Sequence, residues 1–313
     1  MDKSPFHAGE LAVQKRTGEE LQAKMNGTLI KAEILGGALT FISRQSMIII
    51  ATHDRDGKPY PSIIFGQPGF LGAPDTGLLT IDLARAVPHT IEVLLENLHK
   101  DPRAGTLIIE LESRRRLKIN GRVLQADSNS IELKVEESFP LCPKYIQRRK
   151  VKTVTVQGKN PAESPNFQSG EILGEAERNL LSHCDTFFLA TSIPKGGIDV
   201  SHRGGNPGFV KVMEDGTLRC PDYTGNGMFN SLGNLELNKS AGILFVDFGS
   251  RQALIVTGTA QALFDQSDEQ NETGGTNRFL NFKIAKWLRY ALTGIEEEFL
   301  DYSPYNPTAR EDH

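Results

Sequence analysis

An internal repeat constrains this 313-residue chain more than any other feature of its sequence. The Ala-Thr and Pro-Gly-Phe sequences that end at Thr52 and Phe70 recur 139 residues further on, at Thr191 and Phe209. From Asn97 onward the matching segments are spaced by 137 residues, and their order is kept. An ordered series of such matches is the signature of a duplicated unit. The chain is therefore predicted to contain two copies of one domain, here called copy one and copy two.

Each copy has the pattern of short β-strands. An apolar run, a turn rich in glycine and a second extended stretch come first, which is typical of a hairpin. Gly121 and Gly258 stand at matching places in later strands, where a glycine permits a bend or a bulge. Further strands are predicted over residues 78–81, 106–111, 117–124, 243–248 and 254–262. Short strands with one interposed helix predict a small antiparallel barrel in each copy, and the lack of regular βαβ alternation argues against a doubly wound sheet.

Helical patterns flank the predicted barrels. A helix is predicted from Ser4 as N-cap over residues 5–16, a second over 20–32, a third over 172–183 and an amphipathic one over 279–292. The tail from Ser303 is expected to be extended. The predicted organisation is an N-terminal helical segment (1–38), copy one (39–156), a linker (157–171) and copy two with a C-terminal helix and tail (172–313). The fold class is thus mainly β with flanking helices (α+β).

Composition excludes several classes of function. The 35 Lys and Arg residues against 39 Asp and Glu give a net charge of −4, which offers no electrostatic basis for binding nucleic acid or an anionic membrane. No apolar run approaches the roughly 20 residues of a membrane helix, and the N-terminus lacks the apolar core of a secretory signal. The 3 cysteines and 7 histidines show neither disulfide nor metal-ligand spacing. A cytoplasmic protein without a metal is expected.

The copies differ at one pair of matched positions that carries chemistry. His202 and Arg203 of copy two stand where copy one has Ile63 and Ile64. A guanidinium offers a fork of donors for a phosphate, and the following Gly-Gly pair lets an anion approach the backbone. The alternative is a solvated charge at a strand end beside a histidine with satisfied hydrogen bonds.

A second difference lies before the predicted short helix of copy two. Residues 222–234 are rich in Gly, Asn and Ser, whereas copy one has an amphipathic helix built on Ile91, Leu94 and Leu95. Free N–H groups at a helix start, with Ser231 and asparagine side chains, make a cradle for an anion. The alternative is a turn with Asn and Gly at left-handed positions. Since both differences fall in copy two, an anionic-ligand site is predicted there.

Two other patterns have plainer interpretations. The basic run at residues 114–116 could contact nucleic acid, but it is short and is predicted to be a solvated turn between strands. His7, Glu10 and Gln14 share one helical face, which could meet a ligand or simply face solvent; the solvated face is predicted. No pattern of an activated serine or cysteine nucleophile is present, so no catalytic acid, base or nucleophile is assigned.

Longer motifs give the chain a family resemblance. They include FHAGELAVQ from Phe6, RRRLKINGRV from Arg114, DVSHRGGNPGF from Asp199 and PDYTGNGMFNSLGNL from Pro221. With them the chain resembles tandem-domain members of the pyridoxamine 5'-phosphate oxidase-like family of FMN-binding split barrels. The resemblance implies two tandem split β-barrels and FMN held non-covalently at a subunit or pseudo-subunit interface. Carried onto this sequence, the implied cofactor contacts are His202, Arg203, Asn226, Phe229, Asn230, Ser231 and Asn234.

The resemblance implies a function class rather than a substrate. The tail YNPTAREDH has no counterpart of the Arg-x-His segment of true pyridoxamine 5'-phosphate oxidases. The leading hypothesis is an FMN-dependent oxidoreductase acting on a small molecule, with an electron donor such as NAD(P)H, as a homodimer. The alternatives are a flavin-binding or storage module without turnover, and a haem- or tetrapyrrole-binding protein of the same fold with His7 or His202 as first ligand candidates.

Overall fold

Two large antiparallel sheets, one from each copy, form most of the molecule. The computed structural model describes residues 4–87, 89–154 and 166–308. The strands of copy one are β1 (Met47–His53), β2 (Pro59–Gly66), β3 (Leu71–Asp75), β4 (Leu78–Asp82), β5 (Ala86–Val87), β6 (Arg103–Glu110), β7 (Arg115–Ala126), β8 (Ser130–Leu141) and β9 (Arg148–Thr153). Those that follow are β10 (Gln168–Gly170), β11 (Thr186–Ser192), β12 (Ile198–Gly204), β13 (Lys211–Val212), β14 (Leu218–Pro221), β15 (Ser240–Asp247), β16 (Gln252–Leu263), β17 (Phe279–Ala291) and β18 (Ile295–Asp301).

The duplication is visible in the order and register of the strands. Copy one is ordered β3-β4-β8-β7-β6-β1-β2-β5, and copy two repeats that order as β13-β14-β17-β16-β15-β11-β12. Met47 pairs with Phe65 in copy one, and Thr186 pairs with Gly204 in copy two, each residue 139 positions after its counterpart. The predicted fold class is confirmed: the chain is mainly β, with two split barrels in tandem and flanking helices.

Matching glycines bend the longest strands of both barrels. The pairing of β7 with β8 shifts register at Gly121, and the pairing of β16 with β17 shifts at Gly258. A Cβ atom at Gly121 would lie 1.9 Å from the carbonyl oxygen of Lys134, and one at Gly258 would lie 2.1 Å from that of Lys283. Only glycine permits this approach, so the predicted bulges are built into both copies.

Alternation along the strands divides the apolar residues among three cores. Successive side chains of a strand point to opposite faces. In β1, Ile48 and Ile50 therefore face the interior of barrel one, whereas Met47, Ile49 and Ala51 face the other barrel. Copy two repeats the arrangement, so one core lies inside each barrel and a third is shared between them, besides a smaller cluster around Phe139 and Met228.

Two further pairings lie outside the strand order that the copies share. β9, which follows barrel one, pairs antiparallel with β18 near the end of the described chain. β10, within the predicted linker, pairs with β17 of copy two, so residues 168–170 are a strand rather than a loop. Residues 157–165 of the predicted linker lie outside the described residues.

Three predicted helices exist with shorter bounds. The helices are α1 (Ala8–Thr17), α2 (Glu20–Gly27), α3 (Leu39–Ser43), α4 (Ile91–Lys100), α5 (Glu175–His183) and α6 (Asn230–Leu237). The first begins at Ala8 rather than at residue 5, because the N-cap is His7, whose Nδ1 accepts from the N–H of Gly9 at 3.1 Å, and not Ser4. The second ends before residue 32 because Lys31 already pairs with Ser138 of β8. The third begins at Glu175, after its N-cap.

The predicted amphipathic helix over residues 279–292 is wrong, because this segment is strand β17. It pairs with β16 over nearly its whole length, as β8 pairs with β7 in copy one. Tertiary pairing therefore overrides a local pattern compatible with a helix. The tail is not wholly extended either, since Pro304, Tyr305 and Asn306 form a turn. Residues 309–313 lie outside the described part. Within the described ranges, no helix combines the length and the apolar character needed to cross a membrane.

Candidate functional site

Strand β12 and the start of α6 bring the predicted site residues around two neighbouring cavities. The smaller, of about 80 Å³, is here called the anion cavity. The predicted residues that line it are His202, Arg203, Asn226, Phe229, Asn230 and Ser231. Asn234 instead lines the larger cavity, of about 440 Å³, to which Asn230 also contributes.

Copy one supplies two cations to the same anion cavity. Arg116 and Lys118 project from β7 and line it opposite the residues of copy two. Of the basic run, Arg115 is exposed, but the solvated turn predicted for the whole run is wrong for Arg116, which is partly buried and enters the cavity. Their counterparts in copy two are Ala253 and Ile255, so the asymmetry between copies that marks His202 and Arg203 also marks these residues. The site is thus formed by both copies within one chain.

Arg116 is a cation that has no carboxylate partner within the described part of the chain. Its guanidinium donates to the carbonyl of Cys142 at 2.8 Å and approaches the Cys142 sulfur at 3.6 Å and His202 Nδ1 at 3.2 Å. Burial lowers the pKa of Arg116, with a further contribution from the charge of Arg203. A guanidinium nevertheless stays protonated in proteins. Two cations that repel each other across a small cavity make it favourable for an anion.

His202 presents an N–H donor that has no partner. His202 is 3% exposed, and its buried Nε2 has no hydrogen-bond partner among the described residues. Burial lowers the pKa of His202 well below its ordinary value, and Arg116 and Arg203 lower it further. The ring is therefore neutral at pH 7. Since Arg116 can only donate, His202 Nδ1 must accept, and the single ring proton is assigned to Nε2.

Ser231 and the start of α6 provide further donors. Phe229, the N-cap residue, has a left-handed backbone (φ 59°), and no side chain caps the helix. The first N–H groups of a helix have no partner within it. Ser231 Oγ is buried and has no hydrogen-bond partner in the part of the chain that the structure describes. An unpaired buried hydroxyl costs roughly 1–3 kcal/mol, which a bound acceptor would recover.

Arg203 has a partial partner, and Phe229 has a packing role. Arg203 Nη2 lies 3.4 Å from Asp222 Oδ1, while Arg278 Nε donates to the other Asp222 oxygen at 3.0 Å. Arg278 also lies over the Phe229 ring, 5.2 Å from its centroid. Asp222 therefore holds two guanidinium groups beside the loop, and one of them, Arg203, faces the anion cavity.

The asparagines of the site are mostly engaged with the protein. Asn234 Nδ2 donates to Thr191 at 3.0 Å, as Asn97 donates to Thr52 at 3.0 Å in copy one, so this contact belongs to the shared scaffold. Asn234 Oδ1 also lies 2.9 Å from His7 Nε2. Asn226 Oδ1 accepts from the backbone N–H of Met228 at 3.1 Å. Asn230 Nδ2 donates to Glu10 at 2.5 Å.

The prediction that His7, Glu10 and Gln14 face solvent is wrong. Glu10 is 5% exposed and Gln14 is 2% exposed, because α1 packs on α6. A Cβ atom at Gly233 would lie 2.6 Å from the Cα atom of Glu10, which shows how closely the helix backbones approach. The polar residues on this face therefore contact the site of copy two. The sequence alone does not show whether a polar helix face is exposed to solvent or packs against another helix.

Copy one has an apolar region at the matching position. Ile63, Ile64 and Leu94 line a cavity of about 100 Å³ there, where copy two has His202, Arg203 and Ser231 around the anion cavity. The matching residues of β16, Ala253 and Ile255, lie in the shared core instead of carrying charge. Within the described chain, the cationic lining is thus confined to one of two matching positions.

The larger cavity has a different chemical character. Lys118, which lines the anion cavity, forms a 2.5 Å ion pair with Asp199, which lines the larger one. Burial raises the pKa of both Glu10 and Glu137 in its wall. The two cavities therefore place cations and carboxylates side by side.

No protein-family model matches the chain, and no curated protein matches it. Solved structures do. A candidate pyridoxamine 5'-phosphate oxidase from Lactobacillus delbrueckii is 19% identical, with a TM-score of 0.30 over 38% of this chain and 94% of its own. An FAD-binding protein from Mycobacterium smegmatis is 13% identical, with a TM-score of 0.26 over 39% and 98%. One from Mesorhizobium loti is also 13% identical, with a TM-score of 0.28 over 40% and 99%. The assignment of the site rests on the chain's own geometry.

Proposed function

We propose that the chain binds flavin mononucleotide, with the phosphate in the anion cavity and the ring system toward the larger cavity. The observation that carries the proposal is the convergence of Arg116, Arg203 and the unpaired groups of His202 and Ser231 on one small cavity. Charge-assisted donors of this kind suit a phosphate. The 440 Å³ of the larger cavity fall within the usual range for small-molecule sites.

The residues present fit the phosphate of such a cofactor. Arg116 and Arg203 would hold it from copy one and copy two, and Ser231 and His202 Nε2 would donate to its oxygens. A bound flavin supplies electron and hydride transfer, while the protein binds and orients it. An FMN-dependent oxidoreductase that takes electrons from a donor such as NAD(P)H for a small-molecule substrate is the activity we propose. A homodimer and a cytoplasmic location stay predictions.

Tetrapyrrole binding is not favoured by the two candidate histidines. His7 Nε2 is engaged with Asn234 at 2.9 Å. His202 lines the anion cavity of about 80 Å³, which has room for a group of a few atoms and not for a macrocycle.

Comparison of FMN with riboflavin tests the proposed site. Since riboflavin lacks the phosphate, FMN should bind the wild-type protein more tightly, and Arg116→Ala and Arg203→Ala should each weaken FMN binding about tenfold or more while changing riboflavin binding little. The dissociation constants are measured by quenching of flavin fluorescence.

Two variants serve as matched controls. Ile64→Ala changes the copy-one counterpart of Arg203, and Arg115→Ala changes the exposed neighbour of Arg116; both should retain the affinity for FMN. Equal losses from Ile64→Ala and Arg203→Ala would show that the wrong copy has been chosen. Reduction of bound FMN by NAD(P)H without turnover of any acceptor would favour a storage module over an enzyme.

A further inference from the structure

The loop before α6 lies between the anion cavity and the N-terminal helices. Gly225, Asn226, Gly227 and Phe229 line the cavity. On its other side the loop contacts α2, since a Cβ atom at Gly227 would lie 3.2 Å from the side chain of Gln22. The loop therefore has one face toward the ligand site and one face toward a segment that precedes both barrels in the sequence.

Three amide side chains of the N-terminal helices hold carbonyl groups of this loop. Gln22 Nε2 donates to the carbonyl of Gly225 at 3.1 Å, and Asn26 Nδ2 donates to that of Asn226 at 2.6 Å. From α1, Gln14 Nε2 donates to the carbonyl of Met228 at 3.1 Å in a buried contact. Three of the four carbonyls over residues 225–228 are thus drawn toward the helices.

Because the peptide bond is planar, the direction of these carbonyl groups also fixes the direction of the neighbouring N–H groups. In a trans peptide the carbonyl of one residue and the N–H of the next point in opposite directions. The N–H groups of Asn226, Gly227 and Phe229 are therefore directed away from the helices, on the side where these residues line the anion cavity. None of these N–H groups has a hydrogen-bond acceptor among the described residues. Backbone N–H groups that have no partner along such a loop can hold an anion.

We infer that the N-terminal segment (residues 8–27) is a positioning element of the phosphate site in copy two. Gln14, Gln22 and Asn26 fix the orientation of the loop peptides, so that N–H groups rather than carbonyls face the anion. The unpaired, buried His202 Nε2 and Ser231 Oγ point independently to a ligand in the same cavity. The inference rests on the proposed function and adds that phosphate recognition depends on residues that do not touch the phosphate.

The Gln22→Met/Asn26→Leu double variant tests this inference in the full-length protein. Both replacements remove the amide donor at nearly the same size, and both residues are only partly buried, so the fold should tolerate them. We expect the variant to bind FMN about tenfold more weakly, because two hydrogen bonds that orient the loop are lost, while the affinity for riboflavin stays unchanged. Lys24→Met, an exposed position on the same helix, is the control and should change neither affinity.

The preference for FMN over riboflavin separates a positioning role from a structural one. General damage to the site would weaken the binding of FMN and riboflavin equally, and this result would overturn the inference. A double variant that keeps the wild-type preference for FMN would also overturn it. If the wild-type protein itself showed no preference, the proposed phosphate site would fail instead. A thermal unfolding midpoint for each variant confirms that folded proteins are compared. Should the double variant not fold, Gln22→Met alone is measured, and it should lower the preference about fivefold.

Discussion

Burial lowers the pKa of His89 and His202, and each of these residues makes stability depend on pH. His89 is 3% exposed, and its Nε2 accepts a hydrogen bond from the backbone N–H of Thr293 at 2.9 Å. Burial lowers the pKa of His89 to about 4. An unfolded histidine titrates near 6.5, so below that pH the unfolded state takes up a proton that the folded state refuses. Stability from this residue is complete above pH 6.5 and is lost as the pH falls toward 4.

His89→Gln isolates this effect, because glutamine can still accept from Thr293. The difference in unfolding free energy between wild type and variant should shift against the wild type by about 1.4 kcal/mol for each pH unit below 6.5. Between pH 7.5 and pH 5 this amounts to about 2 kcal/mol, measured by urea denaturation at both values. The other histidines are common to both proteins and cancel. A difference that is the same at both pH values would contradict the neutral His89.

At the scale of the elements, the contact between α1 and α6 depends on two glycines, Gly9 and Gly233. A Cβ atom at Gly9 would lie 2.1 Å from the carbonyl oxygen of Gly233, and one at Gly233 would lie 2.6 Å from the backbone of Glu10. Gly233→Ala should therefore force the helices apart and lower the unfolding free energy by about 1–3 kcal/mol. Gly37→Ala, where a Cβ would meet no atom within 4 Å, is the control. An equal effect of both variants would show that the contact contributes nothing.

The elements that could be predicted from the sequence are those with a local sequence pattern. The repeat, the paired strands and the bulges at Gly121 and Gly258 are local patterns that occur twice, and each copy supports the other. Strand β17 was missed because its apolar residues also fit a helix, and its copy-one counterpart β8 had not been predicted as a strand. Six of the seven predicted site residues line the anion cavity. Arg116 and Lys118 escaped prediction although they differ from Ala253 and Ile255 of copy two, because only the folded arrangement places them beside His202 and Arg203.

At the scale of the whole molecule, the shared core should make the two copies unfold together. Leu107 of β6 is fully buried in this core, while the only tryptophan, Trp287, lies in β17 of copy two. Leu107→Ala should lower the unfolding free energy by about 2–5 kcal/mol. Because unfolding is cooperative, the Trp287 fluorescence should report that loss although the substitution is in copy one.

Two spectroscopic probes test whether the two copies unfold together. Circular dichroism and Trp287 fluorescence should give one transition with the same midpoint in urea. Leu124→Ala, at a leucine of copy one that is 63% exposed, should shift the midpoint little. If Leu107→Ala left the midpoint of the Trp287 fluorescence transition unchanged, the two barrels would unfold separately.

The matching cavities have a consequence for how a protein of this kind can change over time. In a symmetric pair of identical subunits, every substitution is made twice, and both clefts must tolerate it. Here the two halves share one chain, so Arg116 and Ala253 can occupy matching positions of related strands without either being imposed on the other half. The half with the apolar lining is free to add packing, and the other can concentrate charge. Joining two barrels in one chain thus separates the demands of stability from those of recognition.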